Sequence, residues 1–333
     1  RFRKESLQDV GQSIGVLSSD AIEQLAVTDA SDIARLTPGL DVVDYGPGQN
    51  DFRIRGIARL VSITDQHFVS NNVGVFFDDA PVNSLFSAQA EIRAFDLERV
   101  EVLRGPQPTY YGESSQGGAV RYISKNPSLT EFEGIAEVEA TNVKGGELAF
   151  GGRGAVSIPI VEDRFGVRAV FNRSARGGFI DQVTSAGVVK DVNDFHQTGA
   201  RIVALAQLTP ELTARAVYSR DWLSVGAENV ISGADKNSDI VRLDVASDDG
   251  SDVFNIGNFR LDYDTGPVKI TALMSYFGRN TDIERAEPEA TQYSNVLSLN
   301  PYYFGADTFF STGRGARQLD IDVYAPELRI ATD

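Results

Sequence analysis

No cysteine occurs in the 333 residues, so disulfide frameworks, thiolate metal sites and cysteine nucleophiles are excluded together. The same absence leaves the redox compartment unmarked. Histidine is nearly as scarce: His67 and His196 are the two present, and neither stands in an HExxH or triad context. No Walker A loop and no GxSxG elbow occurs, and Gly11-Gln12-Ser13-Ile14-Gly15 does not place its serine on a strand-to-helix turn. A run of about 18 uncharged apolar residues is also missing, which excludes a membrane-spanning helix. It does not exclude a barrel, because barrel strands hide their lipid face in every second residue, and a mean hydropathy of −0.18 is compatible with that pattern. Basic charge is outweighed: the net charge is −16. A polyanion is repelled by DNA and RNA, so nucleic-acid binding is disfavoured. The 42% of hydrophobic residues and 23% of charged ones would suit an ordinary folded protein.

What the chain does contain is most distinctive between Leu97 and Pro127, LERVEVLRGPQPTYYGESSQGGAVRYISKNP. Val100, Val102 and Leu103 make an apolar strand that ends at Arg104-Gly105-Pro106, where glycine frees φ and proline fixes it, so the chain must turn. Gly112, Gly117 and Gly118 bring it back into a second strand, Ala119 to Ser124. This is a packed mechanical part with almost no catalytic chemistry. The stretch resembles the plug domain of TonB-dependent outer-membrane receptors, whose signature runs ERVEVLRGP, a tyrosine-glycine step, then GGAI and a lysine. Glu98-Arg99-Val100-Glu101-Val102-Leu103-Arg104-Gly105-Pro106, Tyr111-Gly112 and Gly117-Gly118-Ala119-Val120 through Lys125 match it nearly position for position.

The first third reads as an α+β unit. Ile14-Gly15-Val16-Leu17 forms a short strand, Asp20 and Glu23 make a capping-box variant for a helix through Leu25, and Asp29 with Asp32 repeats the pattern before Ile33, Ala34 and Leu36. Pro38-Gly39 stops that second helix. Phe52-Arg53-Ile54-Arg55-Gly56-Ile57 alternates apolar and basic residues, and Val73 to Phe77 is a strand closed by the turn Asp78-Asp79-Ala80-Pro81. This order also resembles the plug, whose pattern carries FxIRG and then VxVYxDGVP. The resemblance covers residues 5 to 130, and residues 1–130 are expected to be the plug domain.

From Glu131 the texture changes to segments of roughly ten residues with period-two alternation, separated in turn by tight turns and long polar loops. Phe132, Gly134, Ala136, Val138 and Ala140 share one face of a first strand, with Glu137 and Glu139 on the other. Phe150 to Ile158, Phe165 to Phe171, Ala200 to Leu208 and Leu212 to Tyr218 continue the alternation, and further strands follow at Ile256–Tyr263, Val268–Arg279 and Leu319–Ile330. Arg176 to Gln197 and Leu223 to Phe254 are expected to be long loops. Short turns on one side and long loops on the other are how outer-membrane barrels distribute their connections. Residues 131–333 are therefore expected to be the N-terminal portion of an antiparallel transmembrane β-barrel. About 8 of an expected ~22 strands are present, since ~22 are needed to enclose a folded plug. The ~14 missing strands would take ~350 more residues, so the sequence reads as a fragment. Arg1-Phe2-Arg3-Lys4-Glu5 lacks a signal-peptide apolar region, as expected for a mature form or a missing start.

The resemblance implies a gate. The plug sits inside the barrel in the outer membrane of a Gram-negative bacterium, binds substrate at its extracellular apices, and is rearranged when the protein TonB pulls a box expected just upstream of this sequence. It implies TonB-dependent import of a scarce large solute, a ferric siderophore first, with cobalamin, haem or an oligosaccharide as alternatives, and no enzymatic activity. A second reading is a plug-like binding or signalling module that does not transport. A soluble β-rich enzyme is the least supported, because no convergent site is found. Arg59, Gln66, His67 and Asn71, in the stretch corresponding to an apical loop, are the candidate substrate contacts, since an arginine and a histidine suit an anionic metal chelate. Tyr110, Tyr111, Phe86 and Phe95 could wall the same cavity, although packing suits each as well. The structural plug-motif residues are Arg55, Gly56, Arg99, Arg104, Gly105, Pro106, Tyr111, Gly112, Gly117 and Gly118. Arg55 and Arg104 could pair with wall carboxylates such as Glu137 or Glu139, or within the plug. Asp248-Asp249-Gly250-Ser251-Asp252 has oxygen ligands at short spacing but lacks the full calcium-loop pattern, so a solvated loop tip is expected, with no metal or cofactor. The expected partners are TonB, a metal chelate or other small solute, and outer-membrane lipid.

Overall fold

The computed structural model describes residues 14–44, 50–57, 72–82, 90–106, 115–142, 146–184, 187–226, 233–234, 240–243, 250–286 and 314–332. Strand β1 (Ile14–Ser18) runs directly into helix α1 (Ser19–Gln24). The cap of α1 is Ser18, whose hydroxyl accepts from the Ala21 amide, and not Asp20, which lies in the first turn. Asp20 acts there only through the helix dipole. Helix α2 (Ala30–Leu36) is capped by Asp29, which accepts from the Ser31 and Asp32 amides, while Asp32 accepts from the Thr28 amide and hydroxyl. The helix gives way at Thr37, just before Pro38.

Strands β2 (Leu40–Asp44) and β3 (Asn50–Ile54) form an antiparallel pair, and β4 (Val73–Phe77), β5 (Ala80–Pro81), β6 (Leu97–Arg104) and β7 (Gly118–Ser124) join β1 in a sheet of order β1-β6-β7-β4-β5. The motif strands pair as the sequence implies: β6 lies antiparallel to β7, and β7 parallel to β4. Gly118 has φ of +145°, and a Cβ there would fall on the Leu103 carbonyl and 2.8 Å from Ile54 Cδ1. No other residue fits this crossing. Ile22, Ile33, Ile54, Val75, Val100 and Tyr122 make the buried centre of this unit.

The wall is an eight-stranded antiparallel sheet of order β19-β18-β17-β14-β13-β10-β9-β8. Its members are β8 (Glu133–Asn142), β9 (Leu148–Val161), β10 (Phe165–Arg176), β13 (Phe195–Gln207), β14 (Leu212–Val225), β17 (Gly250–Asp264), β18 (Val268–Ala286) and β19 (Arg314–Thr332). The long connections carry short strands, β11 (Asp181–Thr184), β12 (Gly187–Val189), β15 (Gly233–Ala234) and β16 (Ile240–Leu243), which form a small sheet of their own. The expected loops 176–197 and 223–254 are thus shorter than the polar composition suggests. Both β14 and β17 extend into them because ladder hydrogen bonds are indifferent to side-chain polarity. Buried ion pairs there, such as Arg279 with Asp252, satisfy the side chains.

The alternation sorts as expected. Val138, Phe150, Ile158, Phe171, Ile202, Tyr218, Phe259 and Leu328 point outward and stay exposed, as lipid-facing residues do. Val203, Val217, Phe254, Ile256 and Phe277 point inward and share one buried cluster with the plug residues. Among the described residues no helix is long and apolar enough to cross a membrane.

Candidate functional site

Besides the shared apolar cluster, ion pairs seat the plug on the wall, and their polarity is the reverse of the one first considered for Arg55 and Arg104. The plug supplies carboxylates and the wall supplies arginines. Each of these arginines occupies an inward position of its strand: Arg168 on β10, Arg201 on β13, Arg215 on β14, Arg260 on β17 and Arg329 on β19. Arg215 and Arg260 stand directly opposite each other in register. Like charges so placed repel. The Asp78-Asp79 turn between β4 and β5 is what neutralises them, because it places one carboxylate against each.

Asp79 meets three guanidinium groups: Arg260 at 3.2 Å, Arg329 at 3.3 Å and the plug's own Arg121 at 3.5 Å. Burial pushes its carboxyl up, but the fields of Arg121, Arg329 and Arg260 outweigh that and hold it below the usual carboxylate range. Asp78, in the left-handed region at φ +53°, which aspartate tolerates, accepts from the Ser124 amide (3.1 Å) and hydroxyl (2.9 Å) and pairs with Arg215 at 3.3 Å. Arg215 also donates to Ser124 Oγ (2.6 Å) and Asn126 Oδ1 (2.7 Å).

Asp96, also at positive φ (+56°), enters β6 and takes the fork of Arg168, with Nε at 3.0 and 2.9 Å from its two oxygens and Nη2 at 2.5 Å. Arg201 Nη2 donates to the carbonyls of Phe95 (3.0 Å) and Asp96 (2.7 Å) and reaches Asp96 Oδ2 at 3.3 Å. Phe95 is a packing residue, clustered with wall residues Ala155 and Val170 and covered by the Arg153 guanidinium 5.0 Å from its ring centre. One plug arginine does reach the wall: Arg93 donates to Gln197 Oε1 (2.7 Å) and Ser174 Oγ (2.9 Å), and Gln197 returns a bond to the Glu91 carbonyl (2.9 Å).

The motif residues have other work. Arg55 and Gly56, at φ +52° and +79°, form the two-residue turn that bridges Ile54 to Ile57, and Arg55 is exposed. The Arg104 side chain passes within 4 Å of where a Gly15 or Gly39 Cβ would lie, so it is placed inside the plug. The carboxylates named for them are engaged elsewhere, Glu137 by Arg153 at 2.6 Å and Glu139 by the Thr141 hydroxyl. Arg99 pairs with Glu98 (2.5 Å) and Glu101 (2.8 Å). Burial raises the Glu101 carboxyl, and Arg121 and Arg99 bring it below its ordinary range. The Gly105 amide donates to the Gly117 carbonyl, and the Gly117 amide to Asn72, which pins the turn that Pro106 and Gly118 bracket. Arg59, Gln66, His67, Asn71, Phe86, Tyr110, Tyr111 and Gly112 lie outside the described residues, as do Asp248 and Asp249.

Asp252 departs from the solvated loop tip expected of it. It is buried within β17, held by Arg279 at 2.5 Å and by the Thr281 hydroxyl at 3.0 Å, so its charge is already neutralised. Among the described residues no group of three or more acidic or histidine side chains could hold a metal ion. The docking carboxylates Asp78, Asp79 and Asp96 were missed in the sequence. The available signals were a doublet of aspartates closing the apolar run Val73 to Phe77, and arginines recurring in the inward phase of successive strands.

Residues 6–119 match the TonB-dependent Receptor Plug Domain family. The pesticin receptor of Yersinia pestis is 31% identical over 116 residues, covering 34% of this chain and 16% of that protein. The vitamin B12 transporter of Vibrio vulnificus is 30% identical over 148 residues, covering 44% of this chain and 22% of that protein. Among solved structures, the siderophore receptor PiuA of Acinetobacter baumannii superposes over 98% of this chain and 43% of its own, with a TM-score of 0.68 at 17% identity. The chain thus spans less than half the length of each. Residues 6–119 thus carry the plug domain of the TonB-dependent receptors, and it is seated by buried ion pairs on a wall of eight antiparallel strands.

Proposed function

We propose that this chain is the gate and part of the wall of a transporter that imports a scarce large solute, a ferric siderophore first, across the outer membrane of a Gram-negative bacterium in dependence on TonB. The observation that carries this reading is the docking interface. A plug held on an inward, charge-lined face by Asp78, Asp79 and Asp96 is a separable part. Beside the apolar cluster that plug and wall share, its contacts are discrete hydrogen-bonded ion pairs to Arg168, Arg215 and Arg260, which support a part that docks as a unit. The outward apolar face supports placement in lipid. The relatives supply the solute class: one is a vitamin B12 transporter and one a siderophore receptor. Arg59, Gln66, His67 and Asn71 are proposed as solute contacts, with Arg59 and His67 facing the anionic chelate. Residues 1–130 are proposed as the plug unit and 131–333 as wall, and the protein is proposed to carry out no chemistry on its solute.

The test is growth of a strain deleted for the complete gene under iron limitation, with a panel of ferric siderophores. Loss of growth on one siderophore, restored by the gene and not by a version with Arg59 and His67 replaced by alanine, is the expected result. Unchanged growth across the panel would move the solute to cobalamin, haem or an oligosaccharide. Unchanged uptake of all of these would favour a signalling module.

A further inference from the structure

The inward face of the wall carries one arginine, Arg176, that meets no acid among the described residues. Arg176 and Phe195 are register partners at the end of β10 and β13 that leads into the connection 177–194. On these two strands the plug's hydrogen bonds reach as far as Ser174 and Gln197. Arg176 and Phe195 occupy the next inward position, just past the plug.

Phe195 is 2% exposed and packs with Leu223 and Val225. Two guanidinium groups share its ring, that of the plug's Arg93 at 5.4 Å from the ring centre and that of Arg176 at 5.8 Å. They differ in what their N–H groups do. Arg93 donates to Gln197 and Ser174. Arg176 has neither a hydrogen bond nor an ion pair among the described residues, and it stays partly exposed. The other inward arginines among the described side chains each meet a carboxylate, from Arg153 with Glu137 and Arg168 with Asp96 to Arg279 with Asp252 and Arg329 with Asp79. The inward acids Asp221 on β14 and Asp252 on β17 are also engaged, the first by Gln197 and Ser219 and the second by Arg279 and Thr281.

The contact with Phe195 positions the Arg176 guanidinium without using any of its donors. Its planar fork is therefore free for the paired oxygens of a carboxylate, catecholate or hydroxamate. Phe195, Leu223 and Val225 keep water from one side of it, which strengthens its field. The Arg93 guanidinium on the same ring adds positive potential, and an anion beside the two relieves their repulsion.

Resting on the siderophore import proposed above, we infer that Arg176 is the wall-side contact for an anionic oxygen pair of the solute, with Phe195 positioning its guanidinium and Arg93 adding field. The site thereby favours a chelate that carries negative charge over a neutral one of similar size.

The complete receptor, purified in mild detergent, tests this by titration calorimetry with a triply anionic ferric tris-catecholate, ferric citrate and a neutral ferric trihydroxamate. Wild-type protein should bind an anionic chelate more tightly than the neutral one. Arg176→Gln should weaken the anionic chelate about tenfold, the effect of about 1.4 kcal/mol, and shift the neutral one by less than about twofold. The salt dependence of the anionic chelate's affinity should flatten in the same variant. Arg176→Lys should recover part of the loss, because the charge remains and the planar fork does not. The thermal transition should hold in both variants, since Arg176 has no ion pair to lose among the described residues. Wild-type affinity for the anionic chelate in Arg176→Gln would overturn the inference, as would an equal loss for anionic and neutral chelates or a wild-type preference for the neutral one. Failure of wild-type protein to bind any of the three would instead overturn the siderophore reading, and the anionic class named here with it.

Discussion

Replacing Asp79 with asparagine keeps the shape of the β4–β5 turn and removes one charge from between three arginines. Truncating one partner of a buried pair ordinarily costs about 3–5 kcal/mol. Here the arginines keep second acids, Arg121 with Glu101 at 2.8 Å, Arg260 with Asp262 at 2.6 Å and Arg329 with Glu327 at 2.5 Å. The side chains of Arg260 and Arg329 also retain 30% and 22% of their exposure. The expected loss is therefore about 2–3 kcal/mol of plug-docking free energy, with Arg215 and Arg260 left in direct opposition. Hydrogen exchange reads it at the Asp78 amide, bonded to the Tyr122 carbonyl, and the Val82 amide, bonded to Val75. Both should exchange about 30- to 150-fold faster in the complete receptor. Asp79→Glu should recover most of the protection. Unchanged exchange at both amides in Asp79→Asn would refute the view that this cluster holds the plug.

Asp96→Ala leaves Arg201 without its acid and Arg168 with only Glu133 at 3.5 Å, in a site where the Asp96, Arg168 and Arg201 side chains are at most 7% exposed, and it should cost about 3–5 kcal/mol, read as a lowered thermal transition. Gly118→Ala should cost several kcal/mol and disturb β6–β7 pairing, while Gly105→Ala, at φ +94° with nothing within 4 Å, should cost only about 1–2 kcal/mol of backbone strain by urea titration. Asp79 and Glu101 have carboxyls lowered in the folded protein from ordinary values of 3.8 and 4.5. The ionised form of Asp79 therefore stabilises docking, and that of Glu101 the plug itself, fully above those values, and both contributions are lost as pH falls through and below them. Plug exchange should accelerate between about pH 4.5 and pH 2, and little between pH 8 and pH 5.5.

The wall strands were legible because a sheet with one apolar outward face imposes period two on its residues, and Phe150 to Ile158 or Leu212 to Tyr218 can satisfy that only in one phase. The motif strands were legible for a different reason. Gly118 permits a backbone crossing that no other residue does, and Val100 and Val102 alternate to a buried face. Helix α1 was misread by two residues because Ser18 and Asp20 both offer cap oxygens, and the choice depended on where β1 ends. Strands β14 and β17 ran past their expected ends because Asp252 looked like loop until Arg279, 27 residues away, was placed opposite it.

The sequence by itself determined the paired motif strands and the direction the alternating wall residues face, since both are local consequences of residue type and spacing. Only the tertiary structure decided which charges meet. Asp79 and Arg329 are 250 residues apart, and neither carries any local mark of the other. Their pairing, and with it the reversal from plug arginines to plug carboxylates, follows from seating one sheet inside another, which no short-range pattern encodes.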